Sequence, residues 1–260
     1  QLPAVIVNVM RGGPGLGSIQ PSQADYFQAT RGGGNGDYRT PVLAPANLQE
    51  AVDLVQEAFD IADQYRTPVV VLADGLIGQM MEPIVWKEHK QRPLPPKDWA
   101  SSGRGDRDHN NFINSLLIDA PSCEKHNEML LQIYAEIEKN EVRWEEIMLE
   151  DAELVFTAYG TPARIAITVA ENLRQKGIKA GVFRPITLWP FPYARLREIA
   201  EQASVKVFLD VEMSAGQMVE DVKLAVGDRK PIDFYGRLGG MIPTVSEIEA
   251  KAEAVMGEVK

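Results

Sequence analysis

Apolar residues follow two rhythms along this chain. Short runs rich in β-branched side chains alternate with longer stretches in which apolar residues recur at helical spacing. Val5, Ile6, Val7 and Val9 predict a buried strand, interrupted only by Asn8. A short helix is expected over residues 21–29, and Leu43 and Ala44 predict a brief strand before Pro45. From Asn47 the period changes: Ala51, Val52, Val55, Ala58, Phe59 and Ala62 form one helical stripe. Asn47 is an N-cap, and Glu50 stands at capping-box spacing. Pro68 stops the helix, residues 69–73 predict a second buried strand, and Asp74 and Gly75 close it. Strand, loop, helix, strand is half of a parallel α/β sheet.

Residues 76–85 are apolar, with Met80 and Met81 as core or interface filling. Residues 86–121 break the rhythm: Pro93, Pro95 and Pro96 precede SSGRGDRDHNN, a composition suited to a surface arm, a partner-binding segment or a connector. A long helix is predicted from Ser122 toward Ile147, with Met129, Leu130, Ile133, Tyr134 and Ile137 on its apolar face. Alternation then returns. Residues 154–158 predict a strand, Thr161 and Pro162 open a helix that Gly177 ends, and residues 178–183 predict the next strand. Residues 184–192 read as a tight aromatic–proline connector, 194–200 as a helix and 205–211 as a strand. A polar turn at 212–214 leads to a helix near Gly216, a strand at 232–235 and a terminal helix capped by Thr244 and Glu247. The expected division is residues 1–120 as a first α/β unit with its irregular arm, 121–149 as a helical connector and 150–260 as a second α/β unit.

Chemistry gathers where the first strand ends. Arg11 is followed by Gly12, Gly13, Gly15 and Gly17. Ligands favour the carboxyl ends of strands in open α/β sheets. The spacing matches neither a dinucleotide fingerprint nor a P-loop. Two readings stand. Either the glycines serve backbone geometry alone, or the loop is an anion site with Arg11 clamping a carboxylate. Asp74, also at a strand end, suits ligand or metal contact, with Asp-Gly turn formation the plainer account. Tyr26 and Phe27 pack over the core or over a pocket.

Composition narrows the field. The formal charge of −10 argues against a nucleic-acid partner or an acidic membrane surface. Cys123 is the single cysteine, which excludes an intrachain disulfide and cannot by itself hold an iron–sulfur cluster. His89, His109 and His126 form no zinc signature. No run is long and apolar enough to span a bilayer.

VMRGGPGLG at 9–17, QPSQADYFQATRGGGNGDYR at 20–39, PVVVLADGLIGQMMEP at 68–83 and EMSAGQ at 212–217 together resemble the alpha subunit of 2-oxoacid:ferredoxin oxidoreductases, most closely the branched-chain (3-methyl-2-oxobutanoate) type. The resemblance covers essentially the whole chain. It implies an α/β fold: a partial pyrimidine-binding thiamine domain followed by a transketolase C-terminal-like domain. It implies oxidative decarboxylation of 2-oxoacids to acyl-CoA, with thiamine diphosphate and Mg2+ in the assembled enzyme and coenzyme A as cosubstrate. Iron–sulfur clusters would sit on partner subunits, with beta, gamma and delta subunits or their equivalents, ferredoxin and a branched-chain 2-oxoacid as partners, in the cytoplasm.

The family's chain is expected to start well before Gln1, where its substrate loop and the glutamate activating the aminopyrimidine lie. No catalytic residue or metal ligand is therefore expected here, cofactor contacts are left unassigned, and the isolated chain is expected to be inactive. Arg11 matches the family's arginine facing the 2-oxoacid carboxylate. Leu16 stands where relatives acting on 2-oxoglutarate have threonine. Ser214 replaces an asparagine common among relatives and receives no ligand role. The alternatives are a 2-oxoglutarate enzyme or a non-catalytic assembly subunit.

Overall fold

The computed structural model describes residues 2–259. Two separate sheets organise the chain. The first contains β1 (Ala4–Met10), β3 (Pro68–Asp74), β2 (Val42–Leu43) and β7 (Thr187–Trp189), in that spatial order. β1 and β2 run parallel to β3, and β7 is antiparallel to β2. The second sheet has the order β4 (Trp144–Ile147), β6 (Ala180–Pro185), β5 (Leu154–Thr157), β8 (Val207–Glu212), β9 (Ile232–Gly236). Its core is parallel, and only β4 is antiparallel to its neighbour.

The helices fall between the strands. They are α1 (Tyr26–Thr30), α2 (Leu48–Tyr65), α3 (Ala120–Asn140), α4 (Gly160–Gln175), α5 (Tyr193–Glu201), α6 (Met218–Val226) and α7 (Val245–Glu258). α2 buries Leu54, Ala58, Ile61 and Ala62 against Leu43, Val69 and Val71 of the first sheet. α4 and α7 cover one face of the second sheet through Ala166, Val169, Leu173, Ile248 and Val255.

Several expectations need correction. β1 forms, yet it is an edge strand: Ile6, Val7 and Val9 are about half exposed, because β3 pairs with only one side of it. The helix expected over 122–147 ends at Asn140, and Trp144–Ile147 instead pairs with β6. Its glutamates are held from outside the strand, Glu145 by Arg184 and Glu146 by Arg195. The connector expected at 184–192 contains β7, so a strand from the later part of the chain completes the first sheet. Thr161 lies inside α4 and caps nothing; its N–H and hydroxyl both go to Asp74.

The capping boxes divide. At α7 both halves form between Thr244 and Glu247. At α2 the Asn47 side chain accepts from Glu50 N–H as expected, but the Glu50 carboxylate turns to Ala46 N–H and to Arg184. Arg184, buried on β6, grips Glu50 through both terminal nitrogens at 3.0 and 2.9 Å. This two-pronged pair ties α2 to the second sheet.

The irregular tract lies along α2 as an arm. Arg92 bonds Glu57 and Glu141, His89 meets Asp60 at 2.9 Å, and Lys97 meets Asp63 at 2.7 Å. His109 is an exposed loop residue beside Asp108.

Candidate active site

Residues 11–18 form a closed loop at the carboxyl end of β1. Ser18 N–H donates to Gly12 O, and Gly12 N–H donates to Gln20 O, both at 2.8 Å. Gly17 has φ +46°, and a Cβ there would lie 2.0 Å from the Gly12 carbonyl oxygen. Glycine is therefore a steric requirement at that position.

Arg11 organises this loop from within. Its Nη1 donates to Gly12 O at 3.0 Å and to Leu16 O at 2.7 Å, and its Nη2 donates to Gly15 O at 2.9 Å. Arg11 and Leu16 are thus brought together. The guanidinium is exposed. Leu16 projects from the tip, 96% exposed.

Sequence reasoning missed the segment that supports the loop. Residues 237–241 follow β9 and pack against it. Ser18 Oγ donates to Gly239 O at 3.1 Å, and a Cβ on Gly240 would lie 2.3 Å from Gln20 Cβ. The paired glycines after a strand were the available signal. Leu238 and Met241 are exposed there, as is Ile19 on the glycine loop.

Behind the loop, two of the recognised motifs hold each other. Gln23 N–H donates to Met213 O, Met213 N–H donates to Gln23 Oε1, and Gln23 Nε2 donates to Tyr159 O. Ser22 Oγ also donates to Met213 O. Gln217 accepts from Phe27 N–H and donates to Ala24 O, both at 2.8 Å. The amide-rich segment after the glycine loop and the turn after β8 therefore form one seam between the sheets. Buried amides need such partners.

Three acids complete the seam. Asp74 is buried and accepts from Leu76 N–H, Ile77 N–H, Thr161 N–H and Thr161 Oγ1. It joins the end of β3 to the start of α4, so the turn reading of Asp74 is only half of its role. Glu212 accepts from Gln217 N–H, Val219 N–H and Ser214 Oγ. Asp221 on α6 accepts from Tyr26 at 2.6 Å, Arg31 at 2.9 Å and Tyr193. Burial, reinforced by the Asp221 charge, pushes the Tyr26 phenol well above its usual range. Tyr26 is thus a core residue, not a pocket lid.

Among the described residues no group of three or more histidines, cysteines or acids could hold a metal ion, and no helix is long and apolar enough to cross a membrane. Cys123 lies near the start of α3, partly buried, with Asn127 Nδ2 at 3.6 Å from its sulfur.

Residues 1–148 match the family described as pyruvate flavodoxin/ferredoxin oxidoreductase, thiamine diphosphate-binding, and residues 152–248 match pyruvate:ferredoxin oxidoreductase core domain II. The chain belongs to the pyruvate:ferredoxin oxidoreductase family. Within this family of oxidoreductases it is an alpha-type chain of the 2-oxoacid:ferredoxin group. It is 47% identical to ketoisovalerate oxidoreductase subunit VorB of Methanothermobacter marburgensis, over 99% of this chain and 72% of that relative. It is 31% identical to 2-oxoglutarate synthase subunit KorA of Methanocaldococcus jannaschii, over 99% of this chain and 74% of that one. A solved 2-oxoglutarate:ferredoxin oxidoreductase from Magnetococcus marinus shares the fold, with a TM-score of 0.78 at 20% identity, over 99% of this chain and 49% of that one.

Proposed function

We propose that this chain, assembled with its partners, positions branched-chain 2-oxoacids for oxidative decarboxylation to acyl-CoA, with electrons passing to ferredoxin. The observation carrying this reading is the gap between 47% identity to VorB and 31% to KorA, each over 99% of the chain. Arg11 binds the carboxylate beside the keto group, since a guanidinium fork matches a carboxylate. Leu16 gives the branched substituent an apolar neighbour. Thiamine diphosphate, when bound in the assembly, supplies the carbon chemistry. Among the described residues no acidic cluster could hold Mg2+; in this reading partner chains carry the metal and diphosphate contacts as well as the iron–sulfur clusters. The assembly works in the cytoplasm, with beta, gamma and delta subunits or their equivalents.

Two outcomes are expected. Calorimetry on the isolated chain should show no tight thiamine diphosphate binding; stoichiometric strong binding would contradict the division of labour among subunits. In the assembled enzyme, Leu16→Thr should lower kcat/KM for branched substrates by roughly tenfold, the scale of removing a few methyl groups from an apolar lining. Thiamine occupancy should stay unchanged. An unaltered ratio between branched substrates and 2-oxoglutarate would place specificity at another residue.

A further inference from the structure

Asp210 and Glu212 alternate along β8, so their side chains leave the same face of the strand. Both are fully buried. Their surroundings are unequal. Glu212 is surrounded by donors: Gln217 N–H reaches both its oxygens at 3.1 Å, Val219 N–H reaches Oε1 at 3.0 Å, and Ser214 Oγ reaches Oε2 at 2.7 Å. Every one of these partners is a donor, so both Glu212 oxygens are satisfied as acceptors. Asp210 receives one hydrogen bond, from Thr157 Oγ1 to Oδ1 at 2.6 Å. No donor among the described residues reaches its Oδ2.

A second buried charge beside Glu212, with one oxygen unpaired, would be costly. A proton removes both difficulties. It neutralises the second charge and turns the orphan acceptor into a donor. We propose that Asp210 is held as the neutral acid, its proton on Oδ2 and shared toward Glu212, so that the pair carries one negative charge.

The neighbours agree. Burial first, and the Glu212 charge second, push the Asp210 carboxyl well above its usual range, while Thr157 and the Lys223 ammonium on α6 pull the other way. Across the ladders Asp210 faces Thr157 on β5 and the apolar Phe234 on β9. The Tyr159 phenol, pushed up first by burial and then by the Glu212 and Asp74 charges, adds no positive charge. The proton thus protects the turn that begins at Glu212 and holds residues 22–24.

The sign of the pH dependence follows from linkage. An aspartate in the unfolded chain loses its proton near about pH 3.9. Above that pH the folded chain binds one proton more than the unfolded chain, so stability falls as pH rises, until Asp210 ionises. Asparagine has the same shape, donates a hydrogen bond permanently and titrates nowhere.

The test is urea unfolding of the full chain and of Asp210→Asn from about pH 6 to about pH 8. The variant should be the more stable. Its advantage should grow about tenfold in unfolding constant per pH unit until Asp210 ionises. A difference that stays flat across this range would mean that Asp210 is ionised, and would overturn the proposal. Should the variant not fold, the wild-type infrared spectrum decides: a carbonyl band of a buried neutral carboxylic acid at about pH 7, shifted by aspartate labelling, supports the proposal, and its absence refutes it.

Discussion

Arg11→Ala in the assembled enzyme is expected to lower kcat/KM for a branched-chain 2-oxoacid by roughly ten- to a hundredfold, since a charge-assisted hydrogen bond contributes about 1.5–3 kcal/mol. The structure adds a reason for the loss to sit at the high end. Arg11 already spends three hydrogen bonds on the carbonyls of Gly12, Gly15 and Leu16. A guanidinium has five N–H donors, so loop closure and the proposed carboxylate capture would draw on the same group. Alanine would remove the anchor and free the loop that presents Leu16. Arg11→Lys separates the two effects: it keeps the positive charge and loses the planar fork. We expect it to fall between wild type and alanine, mainly through KM. Thiamine occupancy should hold in both variants. Near-wild-type activity of a fully assembled alanine variant would remove Arg11 from substrate binding.

Asp74→Ala is the largest stability loss we expect, about 3–5 kcal/mol, because removal of a buried acceptor strands its donors. Two backbone N–H groups after β3 and two groups of Thr161 would lose their partner together. Asp74 sits in a tight seat: a Cβ on Gly160, which opens α4 with φ +58°, would lie 2.7 Å from its Oδ2. Thr161→Val is the companion variant. It removes only the hydroxyl hydrogen bond and should cost about 1 kcal/mol. Urea unfolding of the three chains measures both. Equal losses for the two variants would show that Asp74 acts through Thr161 Oγ1 alone.

Much of this molecule was legible in its sequence, for local reasons. The α2 helix, its Asn47 cap and the Thr244–Glu247 box depend on residues three or four apart and formed as expected, but the stripe is rotated from the expected one: Phe59 is exposed, and Leu54 and Ile61 are buried with Ala58 and Ala62. β1 was legible as a strand but not as an edge, because Val and Ile runs predict pairing without saying which neighbour is present. β4 was hidden inside an apparent helix. Trp144, Glu145, Glu146 and Ile147 carry no clear alternation, and their strand state rests on backbone pairing with β6, far along the chain, with Arg184 and Arg195 holding the glutamates. β7 was hidden for the same reason: its partner, β2, lies more than a hundred residues earlier. The candidate site shows the same divide. Arg11 and its glycines stood out as a local motif. The supporting loop at 237–241 and the mutual grip of Gln23, Met213 and Gln217 are long-range contacts that no spacing rule encodes.

The central claim is substrate class. The direct measurement is kcat/KM for 3-methyl-2-oxobutanoate against 2-oxoglutarate, with ferredoxin as acceptor, on the enzyme purified with its partner chains. If Leu16 is the apolar neighbour of the substrate, as proposed, the second carboxylate of 2-oxoglutarate finds no partner there, so we predict a preference of at least roughly tenfold for the branched substrate. Equal efficiencies, or a preference for 2-oxoglutarate, would contradict the assignment.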